Sequence, residues 1–248
     1  MTRYDVITDS EELGSRLDEI SLPNETASYK PVPYHDLINW ATQALDMRGM
    51  DTQLEGVQLV KDGAQMFGTW TVKPKDTDEW GEEFRQVLGL RSSYDKTLPC
   101  GVVMGVQVMV CSNLMFSGNI KATHRHTKNV YDSLPWEIHK LVESYLDRFT
   151  SDVDFLNNLK TVELVEKERN DFIVKAMEDD IITTSQVQRV VSECQAPSFP
   201  EFEEHRDTLY GLHNAFTHSF KRANPTTVVA RNVKLNRMIN NYWEPQLN

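Results

Sequence analysis

The chain has 248 residues, 40% of them hydrophobic, and a formal net charge of −11, a length at which one domain can bury a sizeable core. No run approaches the roughly 18 continuous apolar residues of a membrane span, and residues 1–10 are acidic where an export signal would be basic and then apolar. Three cysteines, Cys100, Cys111 and Cys194, with no Cys-x-x-Cys spacing, fit a reducing cytoplasm and argue against disulfides or a structural zinc site, so the expectation is a cytoplasmic protein with no membrane contact and no cofactor.

The first element runs from Ser10 to Ile20, where Ser precedes Glu11 and Glu12 and Leu13, Leu17 and Ile20 fall at helical spacing. Pro31 and Pro33 stop any continuation. Tyr34, Leu37, Ile38, Ala41 and Leu45 then recur at steps of three and four up to Gly49, which is placed as a C-cap. Beyond it the period changes to two. Asp62-Gly63 between residues 57–61 and 65–73 predicts a hairpin, because the central positions of a type I′ turn need positive φ; Met66, Trp70 and Val72 would share one face. Phe84, Gln86, Leu88 and Leu90 alternate with Arg85, Val87, Gly89 and Arg91, and the run Cys100 to Cys111 reads as a central strand buried on both faces. Residues 112–119 read as a loop, followed by a last strand with Ile120, Ala122, His124 and His126 on one side.

From Ser133, read as a cap with Pro135 in the first turn, the chain is helical, with an apolar stripe of Ile138, Leu141, Val142, Tyr145 and Phe149. Further helices are expected at about 152–180, 185–194, 201–222 and 227–242, with breaks at Pro197, Pro200 and Pro225, and with Gly211 as an open case. The sum is one α+β domain over residues 1–248. It has a central, mostly antiparallel sheet of about five strands (54–127), N-terminal helices and a helical C-terminal half (133–243).

The charge is unevenly spread. Residues 1–83 carry 7 basic groups against 17 acids and residues 149–205 carry 5 against 13, whereas residues 84–148 carry 8 against 5 and residues 206–237 carry 6 against 1. Two basic islands therefore sit in an acidic chain, and only they suit a phosphate partner.

Four runs stand out: Tyr29-Lys30-Pro31-Val32, Arg91-Ser92-Ser93-Tyr94-Asp95-Lys96, Cys111-Ser112-Asn113-Leu114 and Arg125-His126-Thr127. Their order and spacing resemble the phage/plasmid-like family catalogued as domain of unknown function 932. The run from Leu209 to Thr217, with the basic stretch to Arg237, is similar to that family's ending, so the resemblance covers residues 29 to about 240. It implies a phage, prophage or plasmid setting and brings no mechanism with it.

Three chemistries are open to these residues. His124 and His126, two apart on one strand face, are short of the ligands a metal needs. Cys111 with His126, and Asn113 to orient the ring, would make a nucleophile and base, but a Cys closing an apolar strand is ordinarily a buried hydrophobe. The run Arg91 to Lys96 offers groups suited to phosphate, extended by Arg125, His126 and Lys128, against a solvated turn in which Asp95 pairs with Arg91 or Lys96. In the second island Arg231, Lys234 and Arg237 form a row on one helix face, and with Tyr94 they suit a groove that tracks a nucleic-acid backbone.

The reading is a non-enzymatic phage or plasmid accessory protein that handles nucleic acid, single-stranded DNA favoured. The alternative is an acidic anti-defence or host-takeover protein that docks on a host DNA-binding protein. A homo-oligomer is open to either.

Overall fold

The computed structural model describes residues 6–77, 83–108, 113–115, 121–220, 223 and 225–243. The chain divides into two compact units, Met1–Gly105 with Ile120–Asp147, and Val106–Asn119 with Arg148–Asn248.

The first unit is built on β1 (Val6–Ile7), β2 (Met50–Val60), β3 (Gln65–Pro74), β4 (Phe84–Ser93), the start of β5 (Cys100–Val108) and, in chain order after β6 (Asn113–Met115), β7 (Lys121–His124). The strand order is β1-β2-β3-β4-β5, with β7 antiparallel to β5 through Cys100↔His124 to Val103↔Lys121. The expected hairpin is present. Its ladder closes at Val60↔Gln65, so residues 61–64 form a four-residue loop in which Lys61, Asp62 and Gly63 all have positive φ. Met66, Trp70 and Val72 are buried together on one face, and residues 101–107 of β5 are buried on both, as alternation and apolarity demand.

Helix α1 (Ser10–Asp18) is capped by Asp9, whose carboxylate accepts the Glu12 N–H at 2.8 Å. Helix α2 (Tyr34–Asp46) buries Tyr34, Leu37, Ala41 and Leu45 and packs on β2 and β4, while α3 (Val130–Leu146) packs on β7 and against α2. Ser133 is not the cap of α3. The helix starts at Val130, three residues earlier, because the Thr127 carbonyl already receives the Val130 N–H. Pro135 then stands in the second turn, where it removes one hydrogen bond.

In the second unit residues 113–115, expected as loop, form strand β6, which pairs antiparallel with Val106–Val108 of β5. The helices are α4 (Phe149–Leu159), α5 (Glu166–Glu178), α6 (Thr184–Gln195), a 3-10 helix (Pro200–His205), α7 (Leu209–Phe220) and α8 (Pro225–Trp243). Two stretches expected as single helices are each split. Residues 152–180 break because Leu164 and Leu209 donate to the carbonyls of Asp207 and Val162, a bridge that needs extended backbone. Residues 201–222 break at 206–208, and Gly211 itself lies inside α7. A Cβ on Gly211 would stand 2.3 Å from the His205 carbonyl, so the glycine lets the 3-10 helix close onto α7. Among the described residues no helix is long and apolar enough to cross a membrane.

Helix α7 is the centre of this unit, touching α4, α6, α8, β6 and the 3-10 helix. His213 on it is 1% exposed; its Nε2 donates to Asn236 Oδ1 of α8 at 3.3 Å, and Nδ1 has no partner among the described residues. Burial pushes the His213 pKa down to about 4. An unfolded histidine titrates near 6.5, so between pH 6.5 and 4 the unfolded chain takes up a proton that the folded one refuses. Stability contributed at neutral pH should therefore be lost as pH falls through that window, by an amount on the order of 3 kcal/mol. Urea midpoints at pH 7 and pH 4.5 for wild type and His213→Gln check this, the variant being expected to lose much less stability on acidification.

Candidate functional site

Three of the runs that drew attention in the sequence, residues 29–32, 91–96 and 125–127, meet at one end of the first unit's sheet. Strand β4 ends at Ser93, and the turn that follows is pinned from several sides. The Tyr94 N–H donates to the Ala64 carbonyl at 2.8 Å, and Asp95 accepts from Lys61 Nζ at 2.8 Å, Gln65 Nε2 at 2.9 Å and the Thr97 N–H at 3.1 Å. Burial pushes the Asp95 carboxyl upward, but hydrogen bonds from Lys61, Thr97 and Ser93 outweigh it and hold the group well below the usual carboxylate range. Asp95 is thus paired with Lys61, and not with Arg91 or Lys96. Lys96 follows at φ 64° and lays its Nζ 4.4 Å from the centre of the Tyr29 ring.

Residues 29–33 run past this turn into α2 without joining the sheet, and groups from other segments satisfy their backbone and that of Tyr34. The Lys30 N–H donates to the His126 carbonyl at 3.0 Å, the Val32 N–H to His126 Nδ1 at 3.2 Å and the Tyr34 N–H to the Tyr94 hydroxyl at 3.0 Å. Tyr94 therefore caps α2 from a distance of sixty residues in sequence. Its ring also stacks on Tyr34, centroids 4.1 Å apart and planes at 4°. Tyr34 in turn donates to the Gly63 carbonyl at 3.0 Å, which ties α2 to the hairpin loop.

His126 lies beneath this layer, 6% exposed, beside Cys100 and Ser92. Because Nδ1 accepts the Val32 N–H, the proton of the neutral ring is on Nε2, which faces Ser92 Oγ at 3.4 Å and Cys100 Sγ at 3.5 Å. A nitrogen that already carries its proton cannot deprotonate the thiol. Burial also raises the Cys100 pKa to about 11 and lowers that of His126, so neither half of a thiolate–imidazolium pair is favoured. Cys100 is beside His126, a pairing with no local sign in the sequence because strand register is set by tertiary pairing. Cys111, Ser112, Lys221 and Arg222 lie outside the described residues, as do the side chains of Asn113 and Leu114.

The two histidines do not share a strand face. Strand β7 stops at His124, whose Nδ1 donates to the Arg125 carbonyl at 2.7 Å, and His126 turns inward after it. Among the described residues no cluster of three or more His, Cys, Asp or Glu could hold a metal.

A family model described as Domain of unknown function (DUF932) matches residues 22–241. The chain belongs to that family. No curated protein and no solved structure matches it. In this DUF932 chain, then, three of the runs quoted above are held together largely by structural bonds, and what they leave over for a partner is charge.

Lys96, Arg125 and Lys128 are exposed and Arg91 is half-buried, and among the described residues none of them pairs with a carboxylate. Lys30 joins them, its Nζ 4.6 Å from the Tyr131 ring centre. His126 and Tyr94 differ from expectation: His126 is inside, and one face of Tyr94 is covered by Tyr34. In the second unit, Arg231, Lys234 and Arg237 do lie on one helix, α8, but Arg231 donates to Gln186 Oε1 at 2.9 Å and Lys234 to the Asp179 carbonyl at 2.8 Å. Arg237 is exposed on the rim of a groove of about 600 Å³ between α5 and α8.

Two outcomes follow from this arrangement. Tyr94→Phe keeps the stacked ring but leaves the Tyr34 N–H without its acceptor, and should cost about 1–2 kcal/mol in urea unfolding. Cys100 should react slowly with a thiol reagent in the native protein and at an ordinary rate in denaturant, as labelling followed by peptide mapping would show.

Proposed function

We propose that this DUF932 protein is a phage or plasmid accessory protein that handles nucleic acid, with single-stranded DNA preferred, in replication or recombination, and that it catalyses no reaction of its own. One observation carries the reading. In a chain of net charge −11, Lys61, Lys75 and Arg48 of the first unit are matched to Asp95, Asp46 and Glu143, yet Arg91, Lys96, Arg125 and Lys128 are matched to no acid among the described residues. Cations kept free of counterions in an acidic protein suit a polyanion, which gains affinity by displacing its own condensed ions.

The preference for single strands rests on exposed aromatic surface. Trp136 is 62% exposed, with Lys140 Nζ 5.0 Å from its ring centre, and an indole beside an ammonium stacks an unpaired base whatever its identity. Tyr131, half-buried under Lys30, has the same pairing of ring and cation.

Fluorescence anisotropy with labelled oligo(dT) at low salt tests the proposal. The protein should bind the single strand more tightly than duplex of equal length and lose affinity steeply with salt. Trp136→Ala should weaken binding about tenfold, in line with the worth of one stacked base. A folded sample that binds neither DNA nor RNA at low salt would overturn the reading and favour docking of the acidic surface on a host DNA-binding protein.

A further inference from the structure

Arg91 is separated from the rest of its motif by the sheet itself. Ser92 points to Cys100 and His126, so Arg91, one residue earlier, points to the opposite face. There it lies over Gly101 of β5: a Cβ built on that glycine would stand 3.1 Å from Arg91 Nε, 3.2 Å from Arg91 Cγ and 3.5 Å from Thr123 Cγ2. Thr123 is the β7 partner of Gly101, and Lys121, two residues before it, is the partner of Val103. Lys121 and Thr123 are both exposed and by strand alternation share the face that carries Arg91. Phe67, half-buried, is the direct cross-strand partner of Arg91 on that same face.

We infer that Arg91, Thr123 and Lys121 form a phosphate subsite on this outer face of β4, β5 and β7, with the bare backbone of Gly101 as its floor. The inference rests on the nucleic-acid reading above and specifies where the strand's phosphate sits. Three features support it. The guanidinium is partly withdrawn from water without a carboxylate in compensation among the described residues, which is costly unless a ligand supplies the anion. Its forked donors, the Thr123 hydroxyl and the Lys121 ammonium are the donor set that phosphate oxygens accept. Asp95, the acid nearest in sequence to Arg91, is occupied by Lys61, Gln65 and Thr97, and among the described residues Arg91 makes no ion pair. Phe67, the cross-strand partner of Arg91 on this face, favours a phosphodiester with an attached base over a free phosphate ion.

The site depends on the absent Cβ as well as on charge, and this makes it testable apart from general electrostatics. Gly101→Ala alters no charge but forces the Arg91 side chain to give way by a few tenths of an ångström. Binding to labelled oligo(dT) would be compared for wild type, Arg91→Ala, Lys121→Ala, Gly101→Ala and, as a charge control, Lys75→Ala, each first checked for native circular dichroism and melting. Expected is a loss of about tenfold or more for Arg91→Ala and Lys121→Ala at about 50 mM salt, a salt slope flatter by about 0.7 for each, a smaller loss for Gly101→Ala, and no change for Lys75→Ala.

Wild-type binding with unchanged affinity in Arg91→Ala and Lys121→Ala would overturn the subsite while leaving the nucleic-acid reading intact. Pyrophosphate titration by calorimetry supplies the second arm. Pyrophosphate binding that Arg91→Ala abolishes, without oligonucleotide binding by wild type, would keep an anion site and overturn the nucleic-acid assignment. Absence of both would overturn the two together.

Discussion

The first unit depends on how residues 29–34 are accommodated. This segment, which leads into the first residue of α2, is partly buried and outside every strand, so its backbone N–H groups have no ladder to satisfy them. Leaving a buried donor unpaired costs about 1–3 kcal/mol, and three such donors would consume a large part of a domain's net stability. The solution is to import acceptors: the His126 carbonyl, His126 Nδ1 and the Tyr94 hydroxyl. Each acceptor fixes something beyond itself. The Tyr94 bond sets the start of α2, the Nδ1 bond sets the histidine tautomer, and that tautomer holds the Cys100 cluster chemically quiet.

The same economy explains the charge pattern. Exposed ion pairs contribute little to folding, so the pairs Lys75–Asp46 and Arg48–Glu143 matter less for stability than for what they leave unpaired. Asp95 is the exception, since it collects bonds from Lys61, Gln65 and Thr97 and so holds the turn after β4 in place. With Asp95 committed to Lys61, neither Arg91 nor Lys96 makes an ion pair among the described residues. The cationic character of this end of the sheet is thus a by-product of the bonds that fold it.

The second unit solves its burial differently. Helix α7 is nearly all inside, including polar residues His213, Asn214 and Thr217. These bond within their own helix or to α8: Asn214 donates to the Tyr210 carbonyl, Thr217 to the His213 carbonyl and His213 to Asn236. Gly211 adds the close approach of the 3-10 helix. The run Leu209 to Thr217 is therefore a packing motif, its glycine and most of its polar groups met by neighbours within the unit.

The sequence by itself determined the α+β class, the hairpin at Asp62-Gly63, the doubly buried strand from Cys100, helices α1, α2 and α6 to within a few residues, and the existence of two basic islands. These are legible because hydrophobic period, turn chemistry and charge are local properties. Only the tertiary structure decided that β7 ends before His126, that Cys100 lies beside that ring, that Tyr94 is a helix cap, that Asp95 belongs to Lys61, and that Arg91 faces away from its own motif toward Gly101, Thr123 and Lys121. Each of these turns on strand register or on an acceptor tens of residues away. A one-residue shift in register moves a side chain to the other face of a sheet, and no local pattern in the chain records which register the packed core selects.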